Sequence, residues 1–361
     1  MPSSLGPTNP LPPELDLDVR GALPPALAGR LVGVGHDGIV HSLRLRSGQV
    51  SCSAHSIHTG AAVADLVVFD GTILLHAEDL SVHQLTVETG AVRRVELAGH
   101  RRTVAASPKF DPSSGELHLV ADDWGGGQSH VVVPAGALTR RSRPVVGAPA
   151  RIRGLAIGRD HLILVADGAA AVASRSGELH AAWVQTGVAA PVPIHTWRVG
   201  DTVVLLALTP SLERWTLHPD AGTVERGVLD PTPRSVAVVG ECGPDGAPLR
   251  AWTTGGETIA HHDLLVSRHA HHSLSPGRPG DFVVVPDSAH PDRRDDGWLA
   301  VLVHDPTDAT TDLRVSSTAD IARATATTRI PRPTAQRLRL TWMPAMGNDP
   351  QHAPTPEEDT P

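Results

Sequence analysis

Apolar and polar positions along the chain alternate in short runs of Val, Leu and Ile, each closed by Gly, Asp, Pro or Ser. The 3.6-residue period of an amphipathic helix is nearly absent. One unit reads AVADLVVFDGTILLHAEDLSVHQLTVETGAVRRVEL. It has a strand, an Asp-Gly turn, a second and a third strand, and a Thr-Gly turn into a fourth. The same order returns in ARIRGLAIGRDHLILVADGAAAVASRSGELHAAWVQ and in PVPIHTWRVGDTVVLLALTPSLERWTLHPDAGTVERGVL, and less regularly from Arg102 and in PRSVAVVGECGPDGAPLRAWTTGGETIAHHDLLV. With GRLVGVGHDGIVHSLRLRSGQVSCSAHSI at the front and GDFVVVPDSAHPDRRDDGWLAVLVHDPTDATTDLRVSS at the back, the units number about seven at roughly 40 residues each, the period of propeller blades. The pattern predicts an all-β chain: a seven-bladed β-propeller of four-stranded antiparallel blades, its two ends meeting to close the ring. A β-sandwich has no such period.

The ends read differently. Residues 1–25 are Pro-rich and predict a linker, residues 26–345 form the propeller, and residues 346–361 make a disordered acidic, Pro-rich tail without the apolar surface to repay ordering. No apolar run approaches the ~18 residues of a membrane helix. No secretory signal opens the chain, so a cytoplasmic location is the default.

Composition removes further classes. The net charge is −8, aromatic residues are 3% of the chain, and all positive charge but Lys109 is arginine. A nucleic-acid footprint needs clustered basic residues with stacking aromatics, and neither is present. Cys52 and Cys242, far apart in sequence, predict free thiols rather than a disulfide framework or a CxxC motif. The glycines Gly125 to Gly127 lack the Lys-Ser/Thr of a phosphate loop.

In a propeller the first strand of each blade lines the axis, so residues distant in sequence converge there. The stretches LPPALAGRLVGVG, HDGIVHSLRL, SPKFDPSSGELHLV, LERWTLHPDAGTV and SPGRPGDFVVVPDSAHPDRRDDGWLAVLVHD resemble the carotenoid cleavage oxygenase family. The resemblance runs from about residue 23 to Pro344, with a shortening between Gly35 and His36. It implies Fe(II) as cofactor, held on the axis by four histidines, and O2-dependent cleavage of a C=C bond in a carotenoid, apocarotenoid or stilbene-like substrate. Carried across residue by residue, the iron-ligand positions fall on Ser107, Arg153, His195 and Arg339, so three of four histidines are missing. Glu78 matches one of the family's supporting carboxylates, and the position before Thr232-Pro233-Arg234 is Pro231. An arginine is always protonated and has only donors. At an effective dielectric near 20, a cation about 4 Å from a like charge costs roughly 4 kcal/mol.

The sequence therefore predicts a degenerate member of this family in which Fe(II) is absent or weakly bound, His195 being its sole remaining ligand. It leads to a non-catalytic propeller that binds a small anionic or apolar molecule on the axis. An active non-haem iron dioxygenase with a rearranged site is the first alternative, and an interaction module or partner of an active paralogue the second. Two buried guanidiniums would need counter-charges; Glu78 is the axial acid expected to pair with one, and Asp65 or Asp122 could close the network. The run His261, His262, His269, His271 and His272 reads as a solvated outer-strand stretch with only weak metal affinity.

Overall fold

The computed structural model describes residues 14–345, apart from 100–102, 137–139, 177–178, 180, 190, 243–246, 265–267, 276, 288–296 and 332–337; nothing is described of the side chains at 239–242 and 247–249. All regular structure in it is β. Two short strands, β1 (Leu15–Leu17) and β2 (Val19–Gly21), precede the blades. Blade I then takes β3 (Gly29–Gly35), β4 (Ile39–Arg46) and β5 (Gln49–Ser56). Blade II is β6 (Val63–Phe69), β7 (Thr72–Ala77), β8 (Val82–Thr86) and β9 (Ala91–Arg94). Blade III follows with β10 (Thr103–Asp111), β11 (Glu116–Asp122), β12 (Gln128–Pro134) and β13 (Arg141–Val145). Blade IV is β14 (Ile152–Ile157), β15 (His161–Ala166), β16 (Ala169–Ser174) and β17 (Ala181–Gln185). Blade V is β18 (Val192–Val199), β19 (Thr202–Leu208), β20 (Leu212–His218) and β21 (Thr223–Asp230). Blade VI is β22 (Ser235–Cys242), β23 (Ala247–Gly255), β24 (Thr258–Asp263) and β25 (Arg268–Ser273). Blade VII is β26 (Arg278–Pro286), β27 (Gly297–Asp305), β28 (Thr310–Ser317) and β29 (Asp320–Ile330), and the last strand, β30 (Leu338–Pro344), returns to blade I.

Every sheet is antiparallel, five of them four-stranded meanders and those of blades I and VII five-stranded with added strands from the chain ends, and the seven sheets confirm the predicted seven-bladed propeller. The innermost strands β30, β6, β10, β14, β18, β22 and β26 touch in that order, and β26 meets β30 again, so the ring is closed. Closure is made by the chain ends: β30 pairs with β3 through Val34↔Arg339 and Leu31↔Trp342. Within the segment expected as linker, residues 15–21 add β1 to the outer edge of blade I and β2 to that of blade VII. Those pairings satisfy edge strands that would otherwise stay open.

Apolar burial is organised by blade interface. Among the described residues seven clusters form, one between each neighbouring pair of blades. On β19, Val203, Leu205 and Ala207 pack toward blade IV, whereas Val204 and Leu206 pack toward blade VI. A second strand is thus buried on both faces, which is why its sequence, TVVLLAL, is continuously apolar rather than alternating. The turns carry the chemistry that hairpins demand: Asp70 and Gly71 both have positive φ (50° and 69°), matching a type I′ connection.

Candidate functional site

The four positions singled out on the axis do lie on innermost strands. Ser107 is on β10, Arg153 on β14, His195 on β18 and Arg339 on β30. The first three strands are consecutive around the ring, and β6 separates β10 from β30. The ladder breaks beside three of these residues. On β10 the register jumps between Ala106 and Lys109, on β14 between Ile152 and Gly154, and on β18 between Pro193 and His195. Pro108 explains the first break, because proline has no N–H for the ladder. Bulges of this kind re-aim side chains at the rims of closed sheets. Gly154 permits close approach of the next blade, since a Cβ there would lie 2.6 Å from Cδ of Pro193.

Each side chain has its own environment. Ser107 is half-buried, with Oγ 3.4 Å from Nδ1 of His76. Nε2 of His76 lies 3.0 Å from the Val104 carbonyl. A carbonyl only accepts, so His76 carries its proton on Nε2 and Ser107 donates to Nδ1. Burial, foremost, holds the His76 pKa below its usual value. Next to this pair, the Lys109 ammonium sits 3.4 Å from Asp65 Oδ2. Arg153 is 56% exposed and pairs through Nε with Asp167 Oδ2 at 3.3 Å. His195 is half-buried near the Trp197 ring, at 6.2 Å between centroids. Arg339 is exposed and has no carboxylate partner among the described residues.

Two expectations need correction. The arginines are not buried, so they do not demand an interior counter-ion: water screens both, and Asp167 in the β15–β16 turn serves Arg153. Glu78 is exposed in the turn after β7, where its backbone N–H bonds to the Ala62 carbonyl at 2.8 Å, and it takes no ion-pair partner among the described residues. Of the other acids considered, Asp65 goes to Lys109 and Asp122 to Arg151. His76 was overlooked, although a histidine inside the apolar run ILLHA was a visible signal; Asp167 left none, being an ordinary Asp-Gly turn residue. Cys52 is a free, half-buried thiol whose pKa is raised, first by burial and then by Glu14. The Cys242 side chain lies outside the described residues.

Among the described residues no group of three or more His, Cys, Asp or Glu side chains is set to hold a metal ion. The axial donor set itself does not fit ferrous iron. Two guanidiniums cannot ligate a cation, the Ser107 hydroxyl is committed to His76, and His195 alone offers an imidazole. No helix of the described residues is long and apolar enough to cross a membrane.

No protein-family model and no curated protein sequence matches the chain. Its three-dimensional structure is similar to that of the lignostilbene dioxygenase of Pseudomonas brassicacearum, with TM-score 0.76 and 17% identity over 92% of this chain and 95% of that one. A variant of Synechocystis apocarotenoid oxygenase matches with TM-score 0.74 and 17% identity over 92% and 96% of the two chains. The cobalt-substituted form of that oxygenase matches with TM-score 0.72 and 18% identity over 93% and 97%. The likeness covers nearly the whole of both partners, and the chain accordingly has the seven-bladed fold shared by apocarotenoid oxygenase and lignostilbene dioxygenase.

Proposed function

We propose that this chain is a carotenoid-oxygenase-like propeller that has lost the iron chemistry of its relatives and binds a small molecule on the axis. The observation that carries this reading is the donor set on the four inner strands: a serine bonded to a buried histidine, two arginines and one histidine. A fold transfers function only with its site, and here the residues that would hold iron are replaced by groups that exclude it. The same replacements suit a carboxylate or phosphate on an apolar body, because an exposed guanidinium offers paired donors. Arg339, without a carboxylate partner among the described residues, is the primary anchor, and Arg153 would exchange Asp167 for the ligand.

The test is thermal unfolding of the full chain with a panel of aliphatic, aromatic and polyene carboxylates and small phosphates, repeated with Arg153→Ala and Arg339→Ala. Stabilisation by a particular ligand that disappears in the Arg339→Ala protein supports the pocket. Equal shifts in all three proteins, or none with any ligand, overturn it. Iron content and turnover of a stilbene and an apocarotenoid are measured on the same preparation. Stoichiometric iron with turnover establishes the dioxygenase alternative, whereas a protein co-purifying in fixed ratio, with no ligand response, supports the partner-module alternative.

A further inference from the structure

The histidine run of blade VI is only partly the solvated stretch that its polarity suggested: His269 and His271 are exposed, but His262 is buried. It occupies β24 and β25, the third and fourth strands of the blade, remote from the axis. The register pairs His262 with His269 and Ala260 with His271. Because strand side chains alternate with period two, His262, His269 and His271 share the face that also carries Thr253, while His261 and His272 lie on the opposite face against Trp252. Two histidines at i and i+2 with a third directly across the ladder give three imidazoles within cross-strand reach. Their rings are close: 6.4 Å between the centroids of His262 and His269, and 5.7 Å between His269 and His271.

The three rings are unequal. His262 is buried and is held from behind. Thr253 Oγ1 lies 2.6 Å from Asp230 Oδ2, which closes the blade V strand β21, and 3.3 Å from His262 Nε2. A threonine hydroxyl has one proton and the carboxylate can only accept, so that proton goes to Asp230 and Thr253 accepts from Nε2–H of His262. This fixes the tautomer and leaves the lone pair on Nδ1. Burial lowers the His262 pKa, Asp230 opposes that, and the neighbouring imidazoles add to it. A buried imidazole oriented by a hydroxyl and a carboxylate is how proteins prepare a metal ligand. His269 and His271 are exposed and take no hydrogen-bond partner among the described residues, so both are free to turn.

The geometry points to a three-histidine site for Zn2+, or a similar divalent transition metal, made by His262 Nδ1 with His269 and His271, the remaining position being open to water. Nitrogen ligands at 2.0–2.1 Å in tetrahedral array suit zinc. The described side chains do not already stand at coordinating spacing, so binding closes the site by rotation of the two exposed imidazoles. The outer position, on the third and fourth strands of the blade, keeps this site independent of the inner strands.

The test is titration of the untagged full chain with Zn2+ against a chromophoric chelator, and with Co2+ followed by visible absorption. One saturable equivalent with a tetrahedral Co2+ spectrum is expected. His269→Gln/His271→Gln, altered only at exposed positions, abolishes it, and Asp230→Asn weakens it by roughly 10- to 100-fold. His261→Gln/His272→Gln, on the other face, keeps it. Absence of a saturable equivalent in the unaltered protein, retention in the His269/His271 variant, or equal loss in the His261/His272 variant overturns the site.

Discussion

Lowering the pH from 7 to 5 removes roughly 2 kcal/mol of stability through one buried pair in blade III. His118 on β11 and His130 on β12 are 1% and 0% exposed, and their rings stack at 5.2 Å. Arg143 Nη2 lies 3.0 Å from His130 Nδ1, and a guanidinium only donates, so His130 carries its proton on Nε2. That proton is donated to His118 Nδ1 at 3.0 Å, which leaves the His118 proton on Nε2, facing Glu116 Oε2 at 3.6 Å. A second proton on either ring would have no acceptor and would join a cluster with Arg141, Arg143 and Arg175. Burial first, then Arg175 against the opposing pull of Asp111, lowers the His118 pKa to about 4, and burial, then the His118 ring and the neighbouring arginines, lower that of His130 to about 3. The unfolded chain titrates near 6.5. Because the folded pKa values are depressed, the unfolded state takes up protons first; the contribution is complete above pH 6.5 and is lost as pH falls toward 4. At pH 5 the gap for His118 alone spans about 1.5 pH units, or roughly 2 kcal/mol, and His130 acts in the same direction. The assay is urea unfolding followed by tryptophan fluorescence at pH 7, 6 and 5, for the unaltered protein and for His118→Gln/His130→Gln. The variant is offset at every pH, so the comparison is of slopes: the variant loses less stability on acidification. An equal loss in both proteins would refute the assignment, because other buried histidines, such as His76 and His262, would then account for the whole effect.

Leu205, fully buried between blades IV and V, costs about 2–5 kcal/mol on replacement by Ala, read as a lower urea midpoint with a preserved propeller circular-dichroism spectrum. Glu213 is buried and accepts from Trp215 Nε1 and Arg226 Nε, both at 2.8 Å, and from Thr209 and Ser211; Glu213→Ala strands these donors and costs roughly 3–5 kcal/mol in the same assay. Gly71→Ala, at φ 69°, costs about 1–2 kcal/mol, whereas Gly227→Ala, in ordinary strand geometry with open space at Cβ, costs nothing measurable.

Much of the architecture was legible in the sequence because it rests on local regularities. Asp-Gly and Thr-Gly turns recur at blade spacing, continuous apolar runs mark strands buried on both faces, and a strand repeat with no helical period admits few folds. The same regularity places Ser107, Arg153, His195 and Arg339 on innermost strands. What tertiary structure alone decided is how far each polar group is buried and which partner it takes. Arg153 and Arg339 are identical in type to a buried arginine, yet both are exposed in the folded ring. Asp167, not Glu78, answers Arg153 because the β14–β15 register sets Ile152 opposite Ala166 and so brings Arg153 beside the β15–β16 turn. In HHDLLVSRHAHH the five histidines look alike, yet register and period two sort them onto opposite faces, one buried behind Thr253 and Asp230 and two left free in solvent. Burial and charge pairing depend on strand register within the blade and on the neighbouring blade, as Asp230 of blade V does for Thr253 of blade VI, and no local pattern carries that information.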